Sequence, residues 1–580
     1  MVSRFGDLSS IELAADEGID KVVELSEAIR QHVKPGMTLY IREGSYAPIR
    51  EIIRQFWGTK PGFTLIMVGA RDTALDLVHC GLVTKLVTSR CSESPTQGRS
   101  LVVQRAYEQK SLEIENWSLY SLPLRLMAAA LKIDFLPTRS IMHSSMAEEN
   151  ADSFIEMDDP FGGGEKLGLL KALHPDIAIV HGLAADRSGN IITSPAILSG
   201  EGEWGAFASK HGVIATVESL VSTDFIRRHS SFVTIPGYFV KSVSVVPFGS
   251  HPLALFSVAE EITGYDADIE FMEEHRQVAT EAGTLDAWLK DWILGCSNNE
   301  DYLKKLGPER LSLLKGQSRV DWEHKLLAVP EETVKASNYS AAETMIAAAS
   351  RVIKQKVLEN GYKVILSGVG TAGFAAWLAF YELKKAGVEV ELMIGSGLLG
   401  WSPRPADPQL TSLANLRTCK MITDVVHAYG VFAHNRCLSV VGAGQLDKYG
   451  NLNSTKLSDT FYLTGSGGAN DAATAEEMLV VAAQSKRRFV EKVPYVTCSG
   501  RNVRTVVSNK GIFEKISGDD ELTLTGYFAD TSSDQSQIVS KIKEACGWEL
   551  KVQPSLKRIE PPNPHELALM RILNPGIAEG

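Results

Sequence analysis

None of the seven cysteines stands in a C-x-x-C pair; their number is odd and they are widely scattered, which argues against a disulfide framework or a structural zinc site. Reduced thiols in a cytoplasm are the simple reading. Metal sites lack histidine support as well, because the thirteen His residues form no H-E-x-x-H or similar pair, and no metal is expected. Blocks of lysine and arginine are missing and the formal net charge is -11, so no concentrated basic face exists for nucleic acid. A basic pocket for one phosphorylated cofactor remains open. The opening residues, Met-Val-Ser-Arg-Phe-Gly-Asp, lack an apolar signal core and acids follow at Asp16 and Glu17, so a cytoplasmic location is expected. The longest charge-free run, Val364 to Tyr381, is interrupted early by Gly368, Gly370 and Gly373; strand, turn and buried helix explain it better than a membrane span.

What is present is an ordinary globular composition, 44% hydrophobic and 22% charged over 580 residues, a length that exceeds one hydrophobic core. Residues 20 to 33 carry apolar side chains at helical spacing, Pro35-Gly36 stops them, and Met37 to Ile41 reads as a strand. A small turn at Glu43-Gly44-Ser45, a helix through Arg54 and a buried strand from Phe63 to Val68 follow, the order of a parallel sheet with crossover helices. Ser111 to Trp117 alternates, placing Leu112 and Ile114 on one face and Glu113 and Glu115 on the other. Residues 144 to 168, polar and glycine-rich, read as a long loop. From about 265 to 315 the pattern is helical. Periodicity then fails, giving an expected domain at 1–315, a linker at 316–340 and a second domain at 341–580.

The second domain restarts the programme of the first with a helix (Ala341 to Leu358), a break at Asn360-Gly361, a strand (Tyr362 to Ser367), a glycine turn and a helix. Asp186-Arg-Ser-Gly-Asn190 recurs as Asp447-Lys-Tyr-Gly-Asn451, a D-x-x-G-N element suited to a tight turn. A duplicated α/β architecture of two related open domains is therefore expected. Three glycine clusters stand where strands end. Gly368, Gly370 and Gly373 fit G-x-G-x-x-G, for which anion binding at a helix N-terminus is favoured over a dinucleotide. Gly395-Ser396-Gly397 ends a buried strand. Gly465-Ser466-Gly467-Gly468 precedes a helix and can aim amides at an oxyanion or thioester carbonyl.

Gln445-Leu-Asp-Lys-Tyr-Gly-Asn-Leu-Asn453, Gly465-Ser-Gly-Gly468 and Lys486-Arg-Arg-Phe-Val-Glu-Lys-Val493 resemble the β subunit of glutaconate-type, class I CoA-transferases. The first half, with Phe135-Leu-Pro-Thr, Pro175-Asp-Ile-Ala-Ile-Val-His181 and Ala185-Asp-Arg-Ser-Gly-Asn190, is similar to the corresponding α subunit, so the two look fused. The resemblance implies α/β domains facing each other across an acyl-CoA cleft, with coenzyme A entering as part of the substrate and no permanent cofactor. Homo-oligomers of fused α/β chains are the implied assembly. It also implies a glutamate in an E-S-G turn that carries CoA as a glutamyl thioester. Here the matching turn is Gly395-Ser396-Gly397, and glycine occupies the glutamate position, leaving room where an attacking carboxylate would otherwise stand.

A branch of the family that lacks this glutamate, the hydrolase opening the last ring in bacterial steroid breakdown, places its essential glutamate in the α half shortly before the helix leading to F-L-P. In this chain that implies Glu115, with Glu113 in reserve and Asn116 a neighbouring placement, as a general base on water whose pKa is raised by partial desolvation. The favoured reaction is hydrolytic C–C cleavage of a cyclic keto acyl-CoA; CoA transfer to a free acid and non-catalytic binding of a CoA ligand are the alternatives. Gly467, Gly468, Gly395, Ser396 and Gly397 are the expected oxyanion and substrate contacts. Gly368, Gly370, Gly373 and Arg139 are expected at the CoA or a substrate anion.

Overall fold

The computed structural model describes residues 17–93, 98–317, 322–407, 412–516, 518–528 and 534–579. The opening stretch through Asp16 and the linker residues 318–321 lie outside them. In the first half, β1 (Thr38–Ile41), β2 (Phe63–Ile66), β3 (Val83–Thr88), β4 (Glu113–Asn116), β5 (Ile177–Ala185), β6 (Val213–Leu220) and β7 (Val240–Val245) run parallel in the order β7-β6-β5-β1-β2-β3-β4. Every residue of β5 is buried, as expected of a central strand covered on both faces. In the second half, β8 (Val364–Ser367), β9 (Glu391–Ile394), β10 (Cys437–Val441), β11 (Glu477–Val481) and β12 (Val503–Val507) take the order β12-β11-β10-β8-β9, again parallel. That order is the five-strand order β7-β6-β5-β1-β2 of the first half.

The repeated D-x-x-G-N element makes the correspondence atomic. Asp186 accepts the Asn190 amide through one oxygen (2.9 Å) and the Asn190 side chain through the other (2.8 Å), while Gly189 takes a φ of 90°. Asp447 repeats both bonds to Asn451, each at 3.1 Å, with Gly450 at 75°. Each asparagine oxygen then takes a glycine amide 2.9 Å away, from Gly237 before β7 and from Gly500 before β12. The turn thus pins the start of the same strand in both halves.

Helix α1 (Tyr46–Phe56) follows β1, and its equivalent after β8 is the apolar helix Thr371–Lys385. The helix Ala341–Asn360 begins at a capping box, Ser340 with Glu343, and ends where Gly361 turns left-handed at φ 65°. One expectation changes, and two details are added. Residues 144–168 are not one loop: Ser145–Glu149 is helical, and Phe135–Thr138, Phe154–Met157 and Leu167–Lys171 form a small antiparallel sheet whose short strands the intervening glycines hide. The glycine turn after β9 is a hairpin, with Leu398–Trp401 returning antiparallel and Ile394 opposite Leu398. The linker region holds helices Trp322–Leu327 and Glu331–Lys335, and Arg571 of the second half binds the carbonyls of Thr333, Ala336 and Asn338. No helix among the described residues is long and apolar enough to cross a membrane.

Candidate active site

The segments that follow β3, β4 and β5 meet the glycine turns of the second half, the position at which open α/β sheets bind ligands. Backbone hydrogen bonds cross the seam at several points. Gly467 donates its amide to Ser89 (2.9 Å), Cys91 donates to Thr464 (2.8 Å), Leu119 donates to Gly467 (2.8 Å), and Val425 donates to Gly200 (2.9 Å). Asn470 and Asp471, just after the glycines, complete it: Asp471 accepts the Ser118 and Ser140 hydroxyls (2.7 and 2.6 Å) and the Tyr120 amide (3.0 Å), while Asn470 accepts the Ile141 amide. Burial pushes the Asp471 carboxyl up to about 6 against the pull of these donors.

At the centre lies Tyr429. A methyl group added at Gly395 would stand 1.8 Å from the Tyr429 hydroxyl, and one added at Gly468 would stand 1.9 Å from it. One phenol therefore touches two of the three glycine clusters. The space expected beside Gly395 for an attacking carboxylate is filled by the Tyr429 ring. This residue is 4% exposed, its hydroxyl bonds to no group among the described residues, and burial with the nearby Asp471 holds its pKa well above the ordinary value, so it is a proton-bearing donor. Gly397 needs its φ of 99° and its bare backbone because the Thr423 carbonyl lies 2.3 Å from where a Cβ would be. Ser396 is buried and donates to the Ile197 carbonyl (2.7 Å), which removes it as a nucleophile.

The other expected residues fare unevenly. The Gly467 amide is given to the Ser89 carbonyl, and Gly468 packs under the Tyr429 hydroxyl. Gly368 and Gly373 are required by close packing on Val440 and on each other, whereas Gly370, at φ 65° before the helix Thr371–Lys385, faces open space. Arg139 is exposed and paired with an equally exposed Glu165.

Glu113 is exposed and paired with Lys85 (2.9 Å) on the edge strand β4. Glu115 does not have the raised pKa expected of it. Burial pushes its carboxyl up, but Lys85 (2.8 Å), the Trp117 indole N–H (2.7 Å) and Arg125 (2.7 Å) outweigh burial and hold it below the usual range. Asn116 is buried and accepts the Tyr462 hydroxyl across the seam (2.7 Å). Cys498 packs in the core, its thiol pushed up to about 12 by burial.

The residues missed by sequence reasoning include Tyr429, Arg71, Arg90, Ser199 and Glu201. Glu201 sits on the loop that packs against the Gly395 turn; one oxygen takes the Glu43 amide (2.7 Å), the other has no hydrogen-bond partner among the described residues, and burial pushes the carboxyl up to about 7. The available signal was position: Arg71 and Glu201 follow strand ends, as Gly395 does. Among the described residues no group of three or more His, Cys, Asp or Glu is arranged to hold a metal ion.

Residues 22–245 match the family model described as Coenzyme A transferase. Both subunits of the glutaconate CoA-transferase of Acidaminococcus fermentans are relatives. One is 26% identical over 324 residues, 51% of this chain and 95% of its own length. The other is 27% identical over 269 residues, 42% of this chain and 95% of its own length. Residues 22–245 match that family, and the two halves of the chain are similar to the two subunits of a class I CoA-transferase. The chain carries both subunit-like halves in one polypeptide, and CoA-transferases of this class are enzymes. An acyl-CoA transferase apoenzyme from Escherichia coli O157:H7 shares the fold over 95% of this chain and 97% of its own, at a TM-score of 0.63 and 15% identity.

Proposed function

We propose that this CoA-transferase-family protein acts on an acyl-CoA thioester held between its halves, and that it adds water to the acyl group instead of passing CoA through an enzyme-bound glutamyl thioester. The observation that carries this is Tyr429 standing where a side chain at position 395 would be. With no carboxylate on that turn, the covalent half of a transfer has no acceptor there. The relatives' names, glutaconate and 3-oxoadipate CoA-transferase, support a CoA thioester of an organic acid as the ligand class.

The reaction this favours is hydrolytic opening of a cyclic keto acyl-CoA. A base takes a proton from water, the hydroxide adds to the ring ketone, and the C–C bond to the thioester α-carbon breaks. The electron pair becomes the thioester enolate, which is held by donors and then protonated, so that the ketone leaves as a carboxylate and the thioester survives. Tyr429, with the Gly468 amide beside it, is the proposed enolate or oxyanion donor. Glu201 is the proposed base, its carboxyl poised near neutrality, whereas Glu115 is held ionised by three donors and is a weaker base. Coenzyme A is part of the substrate, and a cytoplasmic homo-oligomer of fused chains is the proposed context.

Turnover of CoA thioesters with hydroxylamine or borohydride present, followed by mass spectrometry of protein and products, is the test. The expected result is a product heavier by one water and an unmodified chain. A glutamyl-CoA adduct on this chain would overturn the reading.

A further inference from the structure

We infer that Asp471 is a positioning residue that governs how much negative charge the site can hold: while Asp471 keeps its proton, the Tyr429 hydroxyl can support an enolate, and once that proton is lost the buried charge opposes one. This rests on the acyl-CoA reading above. Asp471 is fully buried in the short helix Ala469–Ala472, three residues after Gly468. Its Oδ1 accepts the Ser118 and Ser140 hydroxyls, which are themselves 2.9 Å apart, and its Oδ2 accepts the Tyr120 amide at 3.0 Å. Ser121 lies 2.9 Å beyond Ser118, so three serines and one carboxyl close into a single buried network across the seam. Every donor to Asp471 comes from the first half and none is charged; among the described residues Asp471 makes no ion pair. Three neutral donors favour its ionised form, while lost solvent and the lack of a cation oppose it.

The network borders Tyr429. The Tyr429 hydroxyl lies over Gly468, and Tyr120, whose amide binds Asp471, packs its ring 6.5 Å from the Tyr429 ring and its hydroxyl against Gly430. The titratable groups that feel the Asp471 charge are Tyr120 on the segment after β4, Tyr429 on the helix Val425–Gly430 and Cys498 before β12, and on each of them it helps to keep the proton in place. The coupling is reciprocal: if the Asp471 charge opposes an anion at Tyr429, an anion at Tyr429 holds the proton on Asp471. Burial brings the Asp471 carboxyl up to about 6, so its proton is lost just below neutrality. The backbone beside it is strained as well. Ile141, β-branched and fully buried, takes a φ of 59°, with its amide on Asn470 Oδ1 (2.8 Å) and the neighbouring Ser140 on Asp471. Such a conformation persists only where its surroundings over-determine it, and Asn470 and Asp471 are those surroundings.

Acetoacetyl-CoA, a β-keto thioester whose enolate has an ultraviolet band that the keto form lacks, reads this charge when it is fully bound by excess protein. At pH 8, where Asp471 is ionised, Asp471→Asn should raise the enolate fraction of the bound ligand about tenfold over wild type, and at pH 5 the two proteins should match. Loss of a merely structural contact would not produce such a gain. Adding Tyr429→Phe should abolish it; a gain that survives in the double variant would overturn the inference, because the charge would then act elsewhere. Should Asp471→Asn fail to fold, Ser140→Ala keeps the carboxyl, removes one donor to its ionised form and should raise the enolate fraction above wild type at pH 7, and an unchanged fraction there would count as refutation. An equal or weaker band in Asp471→Asn at pH 8 would overturn the inference while the acyl-CoA reading stands. No binding of acetoacetyl-CoA would overturn the acyl-CoA reading and the inference with it.

Discussion

At the scale of single residues, Tyr429 and Glu115 show how a neighbour decides what a side chain can do. Tyr429→Phe keeps the ring that packs on Gly395 and Gly468 and removes only the donor, so kcat on the genuine substrate should fall by about 10²–10³ with melting temperature nearly unchanged. Glu115→Gln should behave in the opposite manner. It leaves Lys85 and Arg125 with a weaker partner and should cost stability of about 1–2 kcal/mol by urea denaturation, with the shape of the pH–rate profile unaltered. If Glu201 is the base, kcat/KM rises with pH through about 7, because only the ionised carboxyl accepts a proton, and Glu201→Gln removes that rise. A base at Glu115, held below the usual carboxylate range, would give a profile flat across neutrality.

At the scale of elements, the repeated turn is the clearest unit. Asp186→Ala and Asp447→Ala each release an asparagine that fixes a glycine before β7 or β12, so each should destabilise its own half by about 1–3 kcal/mol, read by hydrogen exchange at the strand it anchors. This element was legible in the sequence because Asp, Gly and Asn bond locally, and local bonding needs no knowledge of the fold. Strand order was legible in part, from buried runs alternating with helices. The hairpin at Leu398–Trp401 was not, since its strands are as apolar as a buried parallel strand and only pairing distinguishes them. The site was half legible for the same reason. Glycines announce close approach, but what approaches them comes from elsewhere in the chain: Tyr429 at Gly395, Ser89 at Gly467, Thr423 at Gly397. The ion pairs that lower the Glu115 pKa depend on Lys85 from the adjacent strand, which no local pattern shows.

At the scale of the whole molecule, stability is tied to buried carboxyls with raised pKa, one of which, Asp471, joins the halves. Asp471 sits at about 6, Glu201 and Asp72 at about 7, all by burial. Each binds its proton more tightly folded than unfolded, so stability should fall as pH rises through these values, by about 1–3 kcal/mol per group. Chemical denaturation should find the protein more stable at pH 5.5 than at pH 8, and Asp471→Asn should flatten part of that slope. The Tyr429 ring also bears on descent. A glutamate at position 395 would collide with the phenol, and a smaller residue at position 429 alone would leave a hole beside a glycine, so neither change is useful without the other. Gly395→Glu should unfold or misfold the second half, whereas Gly395→Glu with Tyr429→Gly should be tolerated. Packing therefore couples positions 395 and 429: a carboxylate can stand on this turn only when the phenol opposite it is given up in the same step.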